Sequence, residues 1–240
     1  MDMLTEQIAE KFGCEYAVFE KGSSPEKVEQ AYMEAFADGA KNGYVPAILL
    51  CDKNMKEQLE YAYDDGSDKE SLIAGCGSNG KEILNERYAE YTEDYDEEAL
   101  SEYIGNEEEG ESNKHFCSYI SFRDNKLEED VLLLKIPVKN PWELIGWIPV
   151  GGWNECPSPE DMIAVCKYWY EEYRAIPAVF TNDVMEFYVP SQIDASKRLE
   201  IAKEHYAFCP DRVDQGTETG TISEVAAGLP DSSVWYFWWD

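Results

Sequence analysis

At 240 residues, 44% hydrophobic and 13% aromatic, the chain has material for one large domain or two small ones with a real core. A formal net charge of −30 denies it the basic footprint that nucleic-acid binding needs and sets it against an anionic membrane surface; a basic protein is the kind of partner such a chain attracts. No stretch approaches the ~18–20 apolar residues of a membrane span, and the acidic start Met1-Asp2-Met3-Leu4-Thr5-Glu6 lacks the basic and apolar regions of a secretory signal, so a cytoplasmic protein is expected.

Glu15 to Glu20 reads as a short strand. Ser24-Pro25-Glu26 then announces a helix: a capping hydroxyl, a proline at the first helical position and an acid in the first turn. Val28, Tyr32, Ala35 and Phe36 form its apolar face, Gly43 ends it, and Tyr44 to Cys51 follows as a buried strand. Residues 52–112 differ in character, being strongly acidic and poor in β-branched side chains. Ile83, Leu84, Tyr88, Tyr91 and Tyr95 recur at helical spacing from about Gly80, and a second helix is expected over Glu97 to Ile104. This region reads as an acidic helical insert.

Strands are expected again at Phe116–Phe122, Val131–Ile136 and Leu144–Pro149. Ser158-Pro159-Glu160-Asp161 repeats the helix start seen at Ser24 and places Met162, Cys166, Trp169 and Tyr173 on one stripe. Ala175–Thr181 and Val184–Val189 read as strands hairpinned through Asn182-Asp183. Asp194 caps a helix with Ala195, Leu199, Ala202 and Tyr206 inward. A short helix near Ser223 to Gly228 leads to Trp235-Tyr236-Phe237-Trp238-Trp239-Asp240. Five consecutive aromatics put large rings on both faces of a strand, which predicts an interior strand covered on both sides. The two Ser-Pro helices each lead into similar strands, Val45-Pro46-Ala47-Ile48 and Ile176-Pro177-Ala178-Val179. The echo is either a duplicated helix–strand unit or two solutions to one packing problem. The fold class is α+β (mixed α/β): a single mixed sheet with helices packed on it, within one domain spanning 1–240.

Cys14, Cys51, Cys76, Cys117, Cys156, Cys166 and Cys209 are odd in number and widely spaced, and no Cys-x-x-Cys occurs; reduced, mostly buried thiols follow. Gly75-Cys76-Gly77-Ser78-Asn79-Gly80-Lys81 fits Gly-x-Gly-x-x-Gly and nearly fits a phosphate-binding loop. Glu82 stands where that loop needs Ser or Thr, and no buried strand precedes the glycines, so a turn before the Gly80 helix is the expectation.

Gly151-Gly152-Trp153-Asn154-Glu155-Cys156-Pro157 is the better candidate. Paired glycines let a ligand approach the backbone, and the segment ends at a helix N-terminus, which favours an anion or a thiolate. Gly151, Gly152, Trp153, Asn154 and Glu155 are the ligand-binding candidates. Cys156, with a lowered pKa there, and His205 as its base are weak catalytic candidates. A tight strand-to-helix turn with Trp153 buried accounts for the same residues. Glu155, Glu204, Asp211, Asp214 and Asp240 have no metal-loop spacing, and neither a metal nor a cofactor is expected.

Gly151 to Pro157, Tyr168-Trp169-Tyr170, Ala202-Lys203-Glu204, Phe208-Cys209-Pro210-Asp211, Asp214-Gln215-Gly216 and the terminal Trp235 to Asp240 together resemble a bacterial family known as domain of unknown function 4253. The resemblance covers about residues 134–240. Many relatives carry histidine where Asn182 stands here, so any chemistry of that histidine is missing from this chain. The family implies a fold neighbourhood and no activity. With no complete catalytic set, an enzyme is disfavoured. The leading expectation is a bacterial binding module for a basic partner, in the manner of toxin-neutralising immunity proteins. The alternative is a small-ligand binder or enzyme at the Gly151–Pro157 turn, and a purely structural module is a third. Oligomeric state is not legible.

Overall fold

The computed structural model describes residues 2–62, 68–75, 77 and 79–240. Asp2 caps a first helix, α1 (Met3–Phe12), by accepting from the Thr5 amide, and Ile8 and Phe12 pin it to the core. After strand β1 (Glu15–Phe19), the Ser24-Pro25 start opens α2 (Pro25–Asn42), with Val28, Tyr32 and Ala35 buried as the apolar spacing requires. Strand β2 (Val45–Cys51) is buried along its whole length. The insert then supplies α3 (Lys53–Tyr61), α4 (Lys69–Gly75), α5 (Gly80–Tyr91) and α6 (Glu97–Ile104). A two-stranded ribbon of β3 (Ile120–Ser121) and β4 (Lys126–Leu127) precedes β5 (Asp130–Ile136). The remaining elements are α7 (Leu144–Trp147), α8 (Pro159–Tyr173), β6 (Ile176–Phe180), β7 (Val184–Tyr188), α9 (Arg198–Phe208), α10 (Asp211–Asp214), α11 (Ile222–Gly228) and β8 (Val234–Trp238).

The fold is α+β, built on a mixed six-stranded sheet in the order β1-β5-β2-β6-β7-β8. Only β2 and β6 are parallel neighbours; every other pairing is antiparallel. The echo read in the sequence lies at this junction, where Ile48 pairs with Val179 and Leu49 with Phe180. Each half of the sheet contains a helix followed by two antiparallel strands, α2–β2–β5 and α8–β6–β7, with β1 and β8 added at the outer edges. The two helices take opposite faces. α2 packs with Ile48, Leu50, Leu133 and Val179 on one side, while α8 packs with Ala47, Leu49, Leu134 and Phe180 on the other. The turn 181–183 joins β6 to β7, and in the other half residues 52–129 fill the equivalent place. The insert is thus hung from the carboxyl end of β2.

Four expectations are corrected. β8 is an edge strand rather than an interior one. Trp235, Phe237 and Trp239 are buried, but Tyr236 and Trp238 are only half-buried. The free edge is closed by loop contacts: Ser233 and Val234 donate their amides to the Asn113 carbonyl, and Cys209 Sγ donates to the Trp238 carbonyl at 2.9 Å. The segment 116–122 is mostly irregular, because Cys117 and Ser118 turn inward to bond the buried Glu186 carboxylate of β7. The apolar run 144–149 opens with the helix α7 instead of a strand, since Glu143 closes a capping box with Asn140 and forces a turn after Pro141. Ala195 and Leu199 face out, Leu199 being 38% exposed, while Ala202 and Tyr206 are buried as expected.

Candidate functional site

The Gly151–Pro157 turn sits where the carboxyl ends of β2 and β6 lie side by side. Its shape is dictated locally. Gly151 and Gly152 have φ of 101° and 80°, and Asn154 takes φ 45°. The Gly152 amide donates to the Pro157 carbonyl at 2.9 Å, and the Cys156 amide to the Trp153 carbonyl at 3.0 Å, so the turn is closed on itself. A Cβ at Gly151 would collide with the Pro157 carbonyl oxygen. Asn154 Nδ2 donates to the Asp240 carbonyl, tying the turn to the chain end. The Glu155 carbonyl accepts from Arg87, whose Nε also donates to the Ala207 carbonyl at 2.7 Å, so the insert is stitched to both motifs.

The turn is packed shut on one side and open on the other. On the closed side, Cys156 is buried beside Cys209, and burial pushes its thiol above the ordinary range. The expected lowering is therefore corrected, because desolvation outweighs the helix end. His205 is also buried, but inside a box of Trp169, Trp235 and Phe237, with ring centroids at 5.5, 4.5 and 4.8 Å. Neither of its nitrogens has a hydrogen-bond partner among the described residues, and burial holds its pKa well below the usual value. The two catalytic candidates are thus held in separate packing environments, one a neutral thiol and the other a neutral imidazole.

On the open side, Gly151 and Trp153 border a cleft of 520 Å³. Its opposite wall is one face of α3, where Asn54, Glu57, Gln58 and Tyr61 fall at helical spacing; Asn182 closes the floor. Gly152, Asn154 and Glu155 do not line it. The α3 contributors were missed in the sequence because that stretch reads as a polar insert; the clue was Asp52 capping a run with Met55 and Leu59 on one face.

The glycine-rich stretch ending at Lys81 has another role. Cys76 and Ser78 lie outside the described residues. Gly80 is where α5 crosses α8, and a Cβ there would strike the Ala164 carbonyl oxygen. Lys81 Nζ lies 2.5 Å from Glu204 and 2.8 Å from Glu200. Burial alone would lower its pKa, but these two bonds raise it. Glu204, 4% exposed, also accepts from Trp169 Nε1 and Tyr168 Oη, each at 2.9 Å. The lysine serves a carboxylate, not a phosphate.

A second concavity, of 920 Å³, runs between residues 107–111 and 215–219. Glu107, Glu108, Glu109, Glu111, Glu218 and Glu224 line it, with no lysine, arginine or histidine among its lining residues. Glu107 is held ionised by hydroxyl donors on Ser223 and Thr221. For Glu224, burial works the other way, but Thr219 and the Glu218 amide keep its pKa below the usual value. These hydrogen bonds favour the charged form of both carboxylates.

These features define an α+β protein with an acid-lined groove and a separate cleft at the strand ends. Residues 132–240, the C-terminal part of the chain, match the family described as Domain of unknown function (DUF4253). The match runs from β5 through β8, while β1 and β2, which flank β5, lie outside it. No curated protein and no solved structure matches the chain. No helix among the described residues is long and apolar enough to cross a membrane.

Proposed function

We propose that the protein binds a basic partner, and that the groove between residues 107–111 and 215–224 receives it. The observation that carries this reading is the groove's lining: six glutamates and no cation. The whole chain's charge of −30 adds a long-range field that would speed encounter with a positive partner. Oligolysine is the simplest probe. A fluorescein-labelled lysine peptide should bind, and its affinity should fall steeply as salt rises. Glu108, Glu109, Glu111 and Glu218→Gln together should weaken binding about tenfold at low salt. The same number of neutralisations at exposed Glu10, Glu34, Glu70 and Glu171 controls for net charge and should weaken it far less. Equal losses in the two variants would mean that the field alone attracts the peptide and the groove does nothing particular.

A second reading is favoured by the cleft at the Gly151–Pro157 turn. Its place beyond the carboxyl ends of adjacent parallel strands, with Trp153, Tyr61, Glu57 and side-chain amides facing inward, suits a small polar ligand. The buried, protonated Cys156 argues against a cysteine nucleophile in that reading.

A further inference from the structure

The cleft at the strand ends presents two aromatic rings from opposite walls, half-buried Trp153 from the turn and Tyr61, 70% exposed, from α3. Half-buried rings elsewhere carry a cation of the chain's own. Lys69 lies 3.6 Å from the Trp147 ring and Lys135 5.3 Å from that of Tyr44, and Tyr88, Tyr91, Tyr168 and Tyr170 are covered in the same way. Among the described residues no lysine or arginine covers Trp153 or Tyr61. Glu57 stands on the same α3 face as Tyr61 and has no ion pair among the described residues. No lysine, arginine or histidine lines the cleft. Two more carboxylates belong to the elements that build it: Asp52 caps α3, and Asp183 follows Asn182 in the β6–β7 turn. Burial pushes the Asp52 carboxyl above its usual value, and the charge of Asp183 adds to the effect. The walls are held to each other, since Gln58 Nε2 donates to the Pro149 carbonyl at 2.9 Å.

We infer that this cleft takes a small quaternary ammonium cation, seated between Trp153 and Tyr61 with Glu57 as its counter-ion. This rests on the small-ligand reading of the cleft and names the ligand class. A quaternary ammonium has no N–H to satisfy, so it is recognised by π-faces and one negative charge rather than by a set of acceptors. The cleft supplies that combination, two open rings and an unpaired carboxylate. A lysine ammonium is strongly hydrated and brings three donors, which suits the glutamate groove better than two rings. A neutral sugar would use the rings and amides but leave Glu57 without a cation.

The test follows the Trp153 indole N–H signal by NMR at fixed ionic strength, assigned by its loss in Trp153→Phe. Three probes are titrated: choline, its neutral analogue with a tert-butyl group in place of the trimethylammonium group, and glucose. The analogue is the more apolar, so burial alone favours it. The inference predicts the opposite order, with choline about tenfold tighter and the other tryptophan signals unmoved. Tyr61→Leu and Glu57→Gln should each weaken choline about fivefold, and Glu57→Gln should leave the analogue unchanged. Glu171→Gln, the same charge change near the far end of α8, should do nothing to either. The probe comparison needs no variant, so it stands even if a substitution folds poorly. If the analogue or glucose moves the Trp153 signal at concentrations where choline does not, or as tightly as choline, the ammonium assignment is wrong and the small-ligand reading survives. If Glu57→Gln and Glu171→Gln cost choline equally, the field of the chain attracts it and the seat at Glu57 is wrong. If no probe moves the signal, the small-ligand reading fails and takes this inference with it.

Discussion

Removing the Lys81 ammonium should expose how the insert is held to the rest of the fold. Lys81→Ala leaves the Glu204 carboxylate, 4% exposed, without its cation. Breaking a buried pair on one side typically costs about 3–5 kcal/mol, because a buried charge is left unpaired. Two features reduce the figure here. Glu204 keeps Trp169 Nε1 and the Tyr168 hydroxyl, and the Lys81 side chain is 29% exposed, so water can reach the vacated space. We expect a loss of about 2–3 kcal/mol in urea-unfolding free energy at pH 7. Pairing it with Glu204→Gln removes the orphaned charge, and the double variant should be less damaged than the sum of the two by about 1–2 kcal/mol. A loss below about 0.5 kcal/mol for Lys81→Ala, or strict additivity, would refute the claim that this ion pair anchors α5 to α9.

Other consequences can be checked separately. His205 has a folded pKa below its unfolded value near 6.5, so its contribution is full above that pH and is lost as pH falls toward the folded pKa, by at most about 1.4 kcal/mol per unit. Chemical denaturation from pH 6.5 to 5 should show this loss in the wild type, and the slope should be smaller in His205→Phe; equal slopes contradict it. Gly151→Ala should destabilise by more than about 2 kcal/mol, because it adds a collision with Pro157 to an unfavourable φ, while Gly152→Ala, whose Cβ would make only an ordinary contact with Pro159, should cost only about 1 kcal/mol. Melting curves that rank the two the other way would rule out the turn geometry. Cys156, buried and with its thiol pKa raised, should react with a thiol reagent at pH 8 only as fast as the protein unfolds, and more slowly than the half-buried Cys14. Fast native-state labelling of Cys156 would revive the nucleophile reading.

Much of the frame is written in local signals. Ser24-Pro25 and Ser158-Pro159 start helices at the predicted positions, and Glu97–Ile104 is helical as its spacing demands. What escaped reading depended on long-range partners. The run Leu144–Pro149 is apolar enough for either a strand or a helix, and the choice is made by Glu143 reaching back to Asn140. Aromatics on both faces of β8 give no information on whether a neighbour strand exists, and here Asn113 takes that place. Cys156 and His205 look like a pair in a list of residues, but packing puts one against Cys209 and the other among aromatic rings.

The central claim is that the groove formed by residues 107–111 and 215–224 is where a basic chain binds. Amide hydrogen exchange of the protein with and without saturating lysine peptide at low salt tests it directly. Slowed exchange concentrated in those two segments, and absent from the acids on the exterior of α2, is the predicted result. Protection spread evenly over acidic surfaces, or centred on α3 and the Trp153 turn, would contradict it.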